Sequence, residues 1–463
     1  MGGTRQENQD GQLSLAFESE RRGATPGVGL GGVEPSMAKH DPEHPAYEVH
    51  LMEEICQREN LKNAWKRVRR NKGGPGVDGM TIGEAPDYLR EHWPTLRTRL
   101  LEGTYEPQPV KREEIPKPGG GIRKLGVPCV IDRLIQQAVL QVLQRRWDRT
   151  FSEHSYGFRP GRSSHQAVAQ AQRYVARGYD WVVDIDLEQF FDRVNQDRLM
   201  SRVAERVADK RLLKLIRAFL TAGVMEKGLV RPSGEGTPQG GPLSPLLSNL
   251  VLDEFDQELT RRGHRFCRYA DDCNIYVRSR RAGERVMASV SGFLNRKLQL
   301  RVNTSKSAVA RPAERTFLGF RITNDGRQRE IAPKALARFK VRTQELTRRT
   351  RGVSLEVVVA SLARYLRGWR GYFGFCQTPR VLAILDAHIR RRLRMYLWRQ
   401  WRTSRNRFRA LRRRGISTFS AAVAAGSPTG WWRMSSHPAV QQALRNAYFD
   451  SVGLPRLAPA SYV

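Results

Sequence analysis

Two short stretches carry carboxylates at spacings that suit metal-assisted phosphoryl transfer. The run Trp181-Val182-Val183-Asp184-Ile185-Asp186-Leu187 alternates apolar and acidic residues ahead of Phe190-Phe191. Successive side chains of a strand point to opposite faces, so Asp184 and Asp186 would leave the same face. Farther on, Phe266-Cys267-Arg268-Tyr269 and Cys273-Asn274-Ile275-Tyr276-Val277 read as strands flanking Ala270-Asp271-Asp272, a hairpin with two carboxylates at its tip. Adjacent acids are costly there unless a cation lies between them. Phosphoryl transfer from a nucleoside triphosphate uses two Mg²⁺ ions about 4 Å apart, one for the attacking hydroxyl and one for the departing pyrophosphate. Hard oxygen ligands from two strands suit that task. Asp186 and Asp271 are therefore the candidate shared metal ligands, with Asp272 in a supporting or direct role. A lone Asp-Asp pair is ordinarily a polar turn; the acid-bearing strand upstream favours the metal reading.

A third stretch, Gly236-Thr237-Pro238-Gln239-Gly240-Gly241-Pro242-Leu243-Ser244-Pro245, would let backbone approach a flat ligand such as a nascent base pair, with Gln239 offering an amide. Ser244 and Pro245 have the form of an N-cap and first turn. By composition alone the stretch is simply a turn.

The elements that must position these residues follow from periodicity. An amphipathic helix bearing Ile55, Leu61, Ala64, Trp65 and Val68 runs into the glycine-rich Asn71 to Gly79. Residues 100 to 330 alternate short β-branched runs with helical patterns, an α/β body. After 331 the strand signals fade, and Leu385, Ile389, Leu393, Leu397 and Trp401 fall at i+4 steps of a helix. Twelve arginines and no acid lie between His388 and Gly415, with Tyr396, Trp398, Trp401 and Phe408 interleaved. Charge runs are usually solvated faces, but so one-sided a run fits phosphates and, through exposed rings, unpaired bases.

Composition agrees. Lys+Arg 80 against Asp+Glu 46 gives a formal charge of +34 over 463 residues, which calls for a polyanionic partner. Cys56, Cys129, Cys267, Cys273 and Cys376 form no C-x-x-C pair, which argues against a zinc ribbon and for a reducing compartment. Neither a signal peptide nor an apolar run near 18 residues is visible, so a cytoplasmic protein without a membrane partner is expected. The expected divisions are a flexible leader at 1–45, an α/β part at 46–330, a helical domain at 331–415 and a basic C-terminal nucleic-acid-binding region at 416–463.

Taken together, Tyr-Ala-Asp-Asp at 269–272 and Thr-Pro-Gln-Gly-Gly-Pro-Leu-Ser-Pro-Leu-Leu-Ser-Asn-Leu at 237–250 resemble the reverse transcriptase/maturases of bacterial group II introns. Ile115 to Pro128, Asp132 to Gln137 and Ser155 to Ser163 resemble the family's fingers and palm blocks, as do Asn303, Lys306 and Phe317-Leu318-Gly319-Phe320. Gly368-Trp369-Arg370-Gly371-Tyr372-Phe373 resembles the maturase signature. The likeness covers about residues 50 to 463, and the chain resembles compact class C members, which lack a Cys- and His-bearing endonuclease; none is expected here.

The resemblance implies an α/β right-hand polymerase, with fingers and a palm built on a mostly antiparallel sheet, followed by an α-helical thumb/maturase domain. It implies RNA-directed DNA polymerase activity with two Mg²⁺ ions held by Asp186, the Leu187 backbone, Asp271 and Asp272. Lys117, Arg123, Phe190 and Gln239 would contact the dNTP, with Phe191 the adjacent alternative for the ring that blocks a ribose 2′-hydroxyl. Arg390, Arg391, Arg394, Arg399 and Arg402 would bind nucleic acid. Implied partners are group II intron RNA, an RNA template with a DNA primer, target DNA and dNTPs. The implied role is splicing assistance and copying of the inserted intron during retrohoming, as a ribonucleoprotein. The alternatives are a relative recruited to DNA repair or phage defence, and a maturase with little polymerase activity.

Overall fold

The computed structural model describes residues 50–116, 121–226, 229–231, 236 and 240–459, and of Arg123 only the backbone. The expected leader, Lys117 and Gln239 therefore lie outside the described residues. The chain forms two compact units. One takes in the chain up to Ala167 together with Val183–Ile275 and Glu284–Ala308; the other takes in Val168–Val182, Tyr276–Gly283 and Val309–Val463.

In the first unit the opening helical pattern is split into α1 (Leu51–Ile55) and α2 (Arg58–Asn71), and α3 (Ala85–Glu102) follows. Leu61, Ala64, Trp65 and Val68 are all buried on α2, whose Asn60 donates to the Ala138 carbonyl at 3.1 Å. That carbonyl belongs to α4 (Val130–Trp147), a helix buried on almost every side. The helix ends at Asn71 because Lys72 turns left-handed before the glycines. Between α3 and α4, β1 (Val110–Pro116) pairs antiparallel with β2 (Ile122–Val127). After α5 (Ser164–Ala176), most of which belongs to the other unit, and β3 (Trp181–Ile185), α6 (Phe190–Arg193), α7 (Gln196–Ala204) and α8 (Lys210–Thr221), β4 (Val224–Glu226) joins β1 in parallel. β5 (Leu229–Arg231) closes that sheet, in the order β2-β1-β4-β5.

Then come α9 (Ser244–Arg261), β6 (Arg265–Tyr269), β7 (Asp272–Val277), α10 (Arg280–Leu298) and β8 (Ala308–Ala310). The sheet that carries the acids has the order β6-β7-β3-β8. Helix α9 starts one residue earlier than the sequence pattern suggests: Leu243 is the N-cap, without a side-chain cap bond, and Ser244 and Pro245 form the first turn. Leu243 is buried, so packing fixes that entry instead of a capping hydroxyl.

The second unit holds the antiparallel pair β9 (Phe320–Ile322) and β10 (Arg329–Ile331), followed by helices. These are α11 (Pro333–Leu346), α12 (Leu355–Phe373), α13 (Pro379–Gln400), α14 (Ser404–Arg412), α15 (Thr418–Gly426), α16 (Trp431–Met434), α17 (Pro438–Ala443) and α18 (Asn446–Ser451). One apolar core runs through them from Ile331 to Ala458 and contains the expected stripe of Leu385, Ile389, Leu393 and Leu397. The α/β order followed by helices is that of a right-hand polymerase with an α-helical thumb.

Candidate active site

Strand β3 ends one residue short of Asp186, and the segment 301–307 fastens that end. The Asp186 N–H donates to Ser307 Oγ at 3.0 Å, while the Asp186 carbonyl accepts the Asn303 N–H at 2.8 Å and Glu188 N–H donates to the Arg301 carbonyl at 2.8 Å. Leu187 and Val302 are thus a pair flanked by hydrogen bonds, so the N–H and carbonyl of Leu187 point away from 301–303. Lys306 Nζ lies 3.5 Å from Asp186 Oδ1.

The second pair of acids sits where β6 turns into β7. Ala270 and Asp271 are the two turn residues, and Ala270 is left-handed with φ 57°. Such turns normally place glycine first, and an L-residue there costs roughly 1 kcal/mol. The surroundings hold it. Gly157 packs so closely that a Cβ would lie 2.3 Å from the Ala270 nitrogen. The Ala270 carbonyl accepts from Arg268 Nη1 at 2.8 Å.

Arg268 is buried on β6 and uses all of its N–H groups. Nε and Nη2 grip the two oxygens of buried Asp256 on α9 at 2.7 and 2.5 Å. Nη1 also reaches Asn249 Oδ1 at 3.1 Å and Nη2 reaches Ser155 Oγ at 2.8 Å. Asn249 in turn donates to the Gly157 carbonyl at 2.9 Å. Sequence reading missed this network. Its trace was an arginine in an apolar strand and two polar residues, Asn249 and Asp256, seven apart on one helix face.

The acids act on one another. Loss of hydration, followed by the charges of Asp271, Asp184 and Asp186, pushes the Asp272 carboxyl up to about 7, and Lys306 acts the other way. Part of the Asp272 side chain nevertheless stays exposed. Among the described residues no three His, Cys, Asp or Glu side chains converge into a ready-made metal cage. Mg²⁺ characteristically takes one or two protein carboxylates and completes its shell with water and substrate phosphates. Mutually repelling, partly exposed carboxylates fit such an ion.

The aromatic pair separates into two roles. Phe190 is 3% exposed, and Phe191 meets it edge-on at 5.2 Å while remaining partly open. The expectation that Phe190 faces a nucleotide is therefore corrected, because a core ring has no surface to offer, and the adjacent alternative Phe191 is the ring of the pair that is partly open. At the third stretch, Gly236 donates to the Val194 carbonyl at 2.8 Å, and a Cβ on Gly240 would lie 2.4 Å from the Gly126 carbonyl. The start of that stretch thus rests on the α6–α7 connection and its middle on β2.

In the helical unit the arginines also divide. Arg390 is 4% exposed and lies 3.7 Å from Asp386 and 3.4 Å from Asp450. Its expected role in nucleic-acid binding is corrected to an internal ion pair. Arg391 lies over the Trp432 ring at 4.0 Å, and Arg394 donates to the Leu444 carbonyl at 3.0 Å. Arg399 and Arg402 remain exposed. Tyr396 and Trp398 are core residues, not stacking platforms.

Residues 115–322 match the reverse transcriptase (RNA-dependent DNA polymerase) family, and residues 336–415 match the group II intron maturase-specific domain. Protein YkfC of Escherichia coli is 35% identical over 314 residues, 59% of this chain and 82% of that protein. The group II intron-encoded protein LtrA of Lactococcus lactis subsp. cremoris is 36% identical over 195 residues, 42% of this chain and 32% of LtrA. A putative COX1/OXI3 intron 1 protein of Saccharomyces cerevisiae is 30% identical over 200 residues, 43% of this chain and 24% of that protein. The match thus spans most of YkfC but only a third or less of the two intron-encoded relatives. With both domains present in order, the chain belongs to the group II intron-encoded reverse transcriptase/maturases, a family of group II intron splicing and mobility.

Proposed function

We propose that this chain extends a DNA primer on an RNA template from dNTPs, binds its group II intron RNA to assist splicing, and copies the inserted intron into DNA at its target. The observation that supports the polymerase reading is that β7, which starts at Asp272, lies beside β3, which ends one residue before Asp186, with Lys306 3.5 Å from Asp186 Oδ1. Asp186, Asp271, Asp272 and the outward carbonyl of Leu187 would hold the metal. Two Mg²⁺ ions, when bound, activate the primer 3′-hydroxyl and neutralise charge on the pyrophosphate. The chain's own residues fix the geometry: Ser307 and Asn303 hold the Asp186 backbone, and Arg268 holds the turn before Asp271. In this reading Lys117 and Arg123 would hold the triphosphate, as a point charge and a planar fork suit it, and Gln239 would offer its amide to the nascent pair. Phe191, the open ring of its pair, is the fitting block to a ribose 2′-hydroxyl.

For RNA, the exposed arginines of the helical unit are the fitting phosphate contacts: Arg399, Arg402, Arg405, Arg409, Arg412 and Arg413. We assign residues 46–330 to fingers and palm, 331–415 to the thumb/maturase domain and 416–463 to further nucleic-acid binding. Among the described residues no helix is long and apolar enough to cross a membrane, in keeping with work as a ribonucleoprotein in the bacterial cytoplasm.

The test is Mg²⁺-dependent extension of a DNA primer on an RNA template by wild type and Asp271→Asn in parallel. Extension by wild type alone, with RNA binding equal in both, supports the reading. Extension by both would remove Asp271 from the chemistry, and extension by neither would leave only the RNA-binding role.

A further inference from the structure

Phe158 stands apart from every other aromatic near the acids. Its φ is 59°, in the left-handed region that a bulky residue rarely adopts. Its side chain is 47% exposed, so core packing does not account for the strain. The backbone is held on both sides: Asn249 of α9 donates to the Gly157 carbonyl at 2.9 Å, and Gln144 of α4 donates to the Phe158 carbonyl at 3.0 Å. Just beyond, buried Arg159 is tied to Asp148 and to the Ser152 and Ser155 carbonyls. Strain of this kind persists only where neighbouring structure over-determines it, and it collects at functional sites.

The ring it presents lies beside the reaction centre. Its centroid is 6.2 Å from that of Tyr269, with the planes 44° apart. Gly157, the preceding residue, abuts the nitrogen of Ala270, next to Asp271. Phe158 thus follows directly on the glycine packed against the Ala270–Asp271 turn, and its half-open apolar ring, beside Tyr269, is available to a nucleotide held at that turn. Its chemistry suits the faces of a base or sugar and offers nothing to a phosphate.

We propose that Phe158 and Tyr269 form an aromatic subsite for the terminal nucleotides of the primer strand, with the left-handed backbone at Phe158 maintained to aim that ring. The inference rests on the polymerase reading and deepens it. If it holds, the ring serves binding at the expense of stability, and the two are separable. Phe158→Gly relieves the backbone and deletes the ring; Phe158→Asn also tolerates the left-handed region. Phe158→Tyr keeps a ring.

The experiment measures thermal unfolding, the affinity for a fluorescent DNA primer annealed to an RNA template, and the affinity for single-stranded RNA. Phe158→Gly and Phe158→Asn are expected to unfold at wild-type temperature or about 1–3 °C above it. Their affinity for the hybrid should fall about 10-fold, in line with the removal of one stacked ring. Binding to single-stranded RNA should be unchanged, and Phe158→Tyr should restore the hybrid affinity. Unchanged hybrid affinity in Phe158→Gly, or a lowered unfolding temperature in both Gly and Asn variants, would overturn the subsite and make the ring a packing residue. The affinity readout needs no chemistry, so a wild type unable to extend primers would sink the polymerase reading while leaving this comparison decisive.

Discussion

Replacing Arg268 by methionine takes away a buried cation whose N–H groups serve Asp256, Asn249, Ser155 and the Ala270 carbonyl. Asp256 is left buried and unpaired, which costs about 3–5 kcal/mol, a large share of any domain's stability. Low activity in that variant would be uninformative, since unfolding explains it. The informative partner is the double variant Arg268→Met/Asp256→Leu. Apolar replacement of both members of a buried pair is often close to neutral, so most of the lost stability should return. The Ala270 carbonyl, however, still lacks its donor, and a left-handed alanine held only by the contact with Gly157 is free to relax. A displacement of about 1 Å at a reacting group costs on the order of 100-fold in rate. The double variant should therefore fold, bind RNA like wild type, and extend primers about 10- to 100-fold more slowly at saturating dNTP, with a higher Mg²⁺ requirement. Chemical denaturation reads the first quantity and single-turnover extension the others. Recovery of the wild-type rate along with stability would refute the positioning argument and leave Arg268 as a purely structural residue.

Two further perturbations test the distribution of charge. Asp132 on α4 is almost fully buried, accepts the Tyr105 hydroxyl at 2.7 Å and the Gln108 N–H at 3.2 Å, and is pushed up to about 7 chiefly by burial. Because its folded value lies above its unfolded one, the proton is held more tightly in the fold, and the associated stability is present at low pH and lost as pH rises through 7. Between pH 5 and 8 wild type should lose about 2.5 kcal/mol relative to Asp132→Asn; parallel pH profiles in denaturant titrations would contradict this. In the helical unit, Arg390→Met should destabilise by about 3–5 kcal/mol and leave the salt dependence of RNA binding unchanged. Arg399→Gln/Arg402→Gln should leave stability unchanged and lower the salt slope by about 0.7 for each phosphate no longer neutralised, read by binding titrations at several salt concentrations.

How much of this was legible in the sequence depends on the range of the interaction concerned. Strand alternation marks Asp184 and Asp186, and two apolar runs mark the hairpin before Asp271 and Asp272, because period and turn are local properties. Periodicity also located the apolar stripe of α13. It failed to say which arginines of that helix face inward, because Met395, Tyr396, Leu397 and Trp398 are all buried in succession; a helix enclosed on every side near its end has no single polar face. Adjacent Phe190 and Phe191 posed the same problem on a smaller scale, since one helical step of about 100° separates core from surface. What holds the acids in place left still less trace. Arg268 and Ser155 are 113 positions apart, and neither the left-handed turn at Ala270 nor the one at Phe158 carries the glycine that would announce it. Both departures from local preference lie beside the carboxylates, each held by side chains from α4, β6 or α9. The site is thus legible where it follows local rules and illegible where long-range contacts enforce an exception. Those exceptions mark the residues whose substitution should separate folding from activity, because their unfavourable backbone would relax in a chain freed from its task.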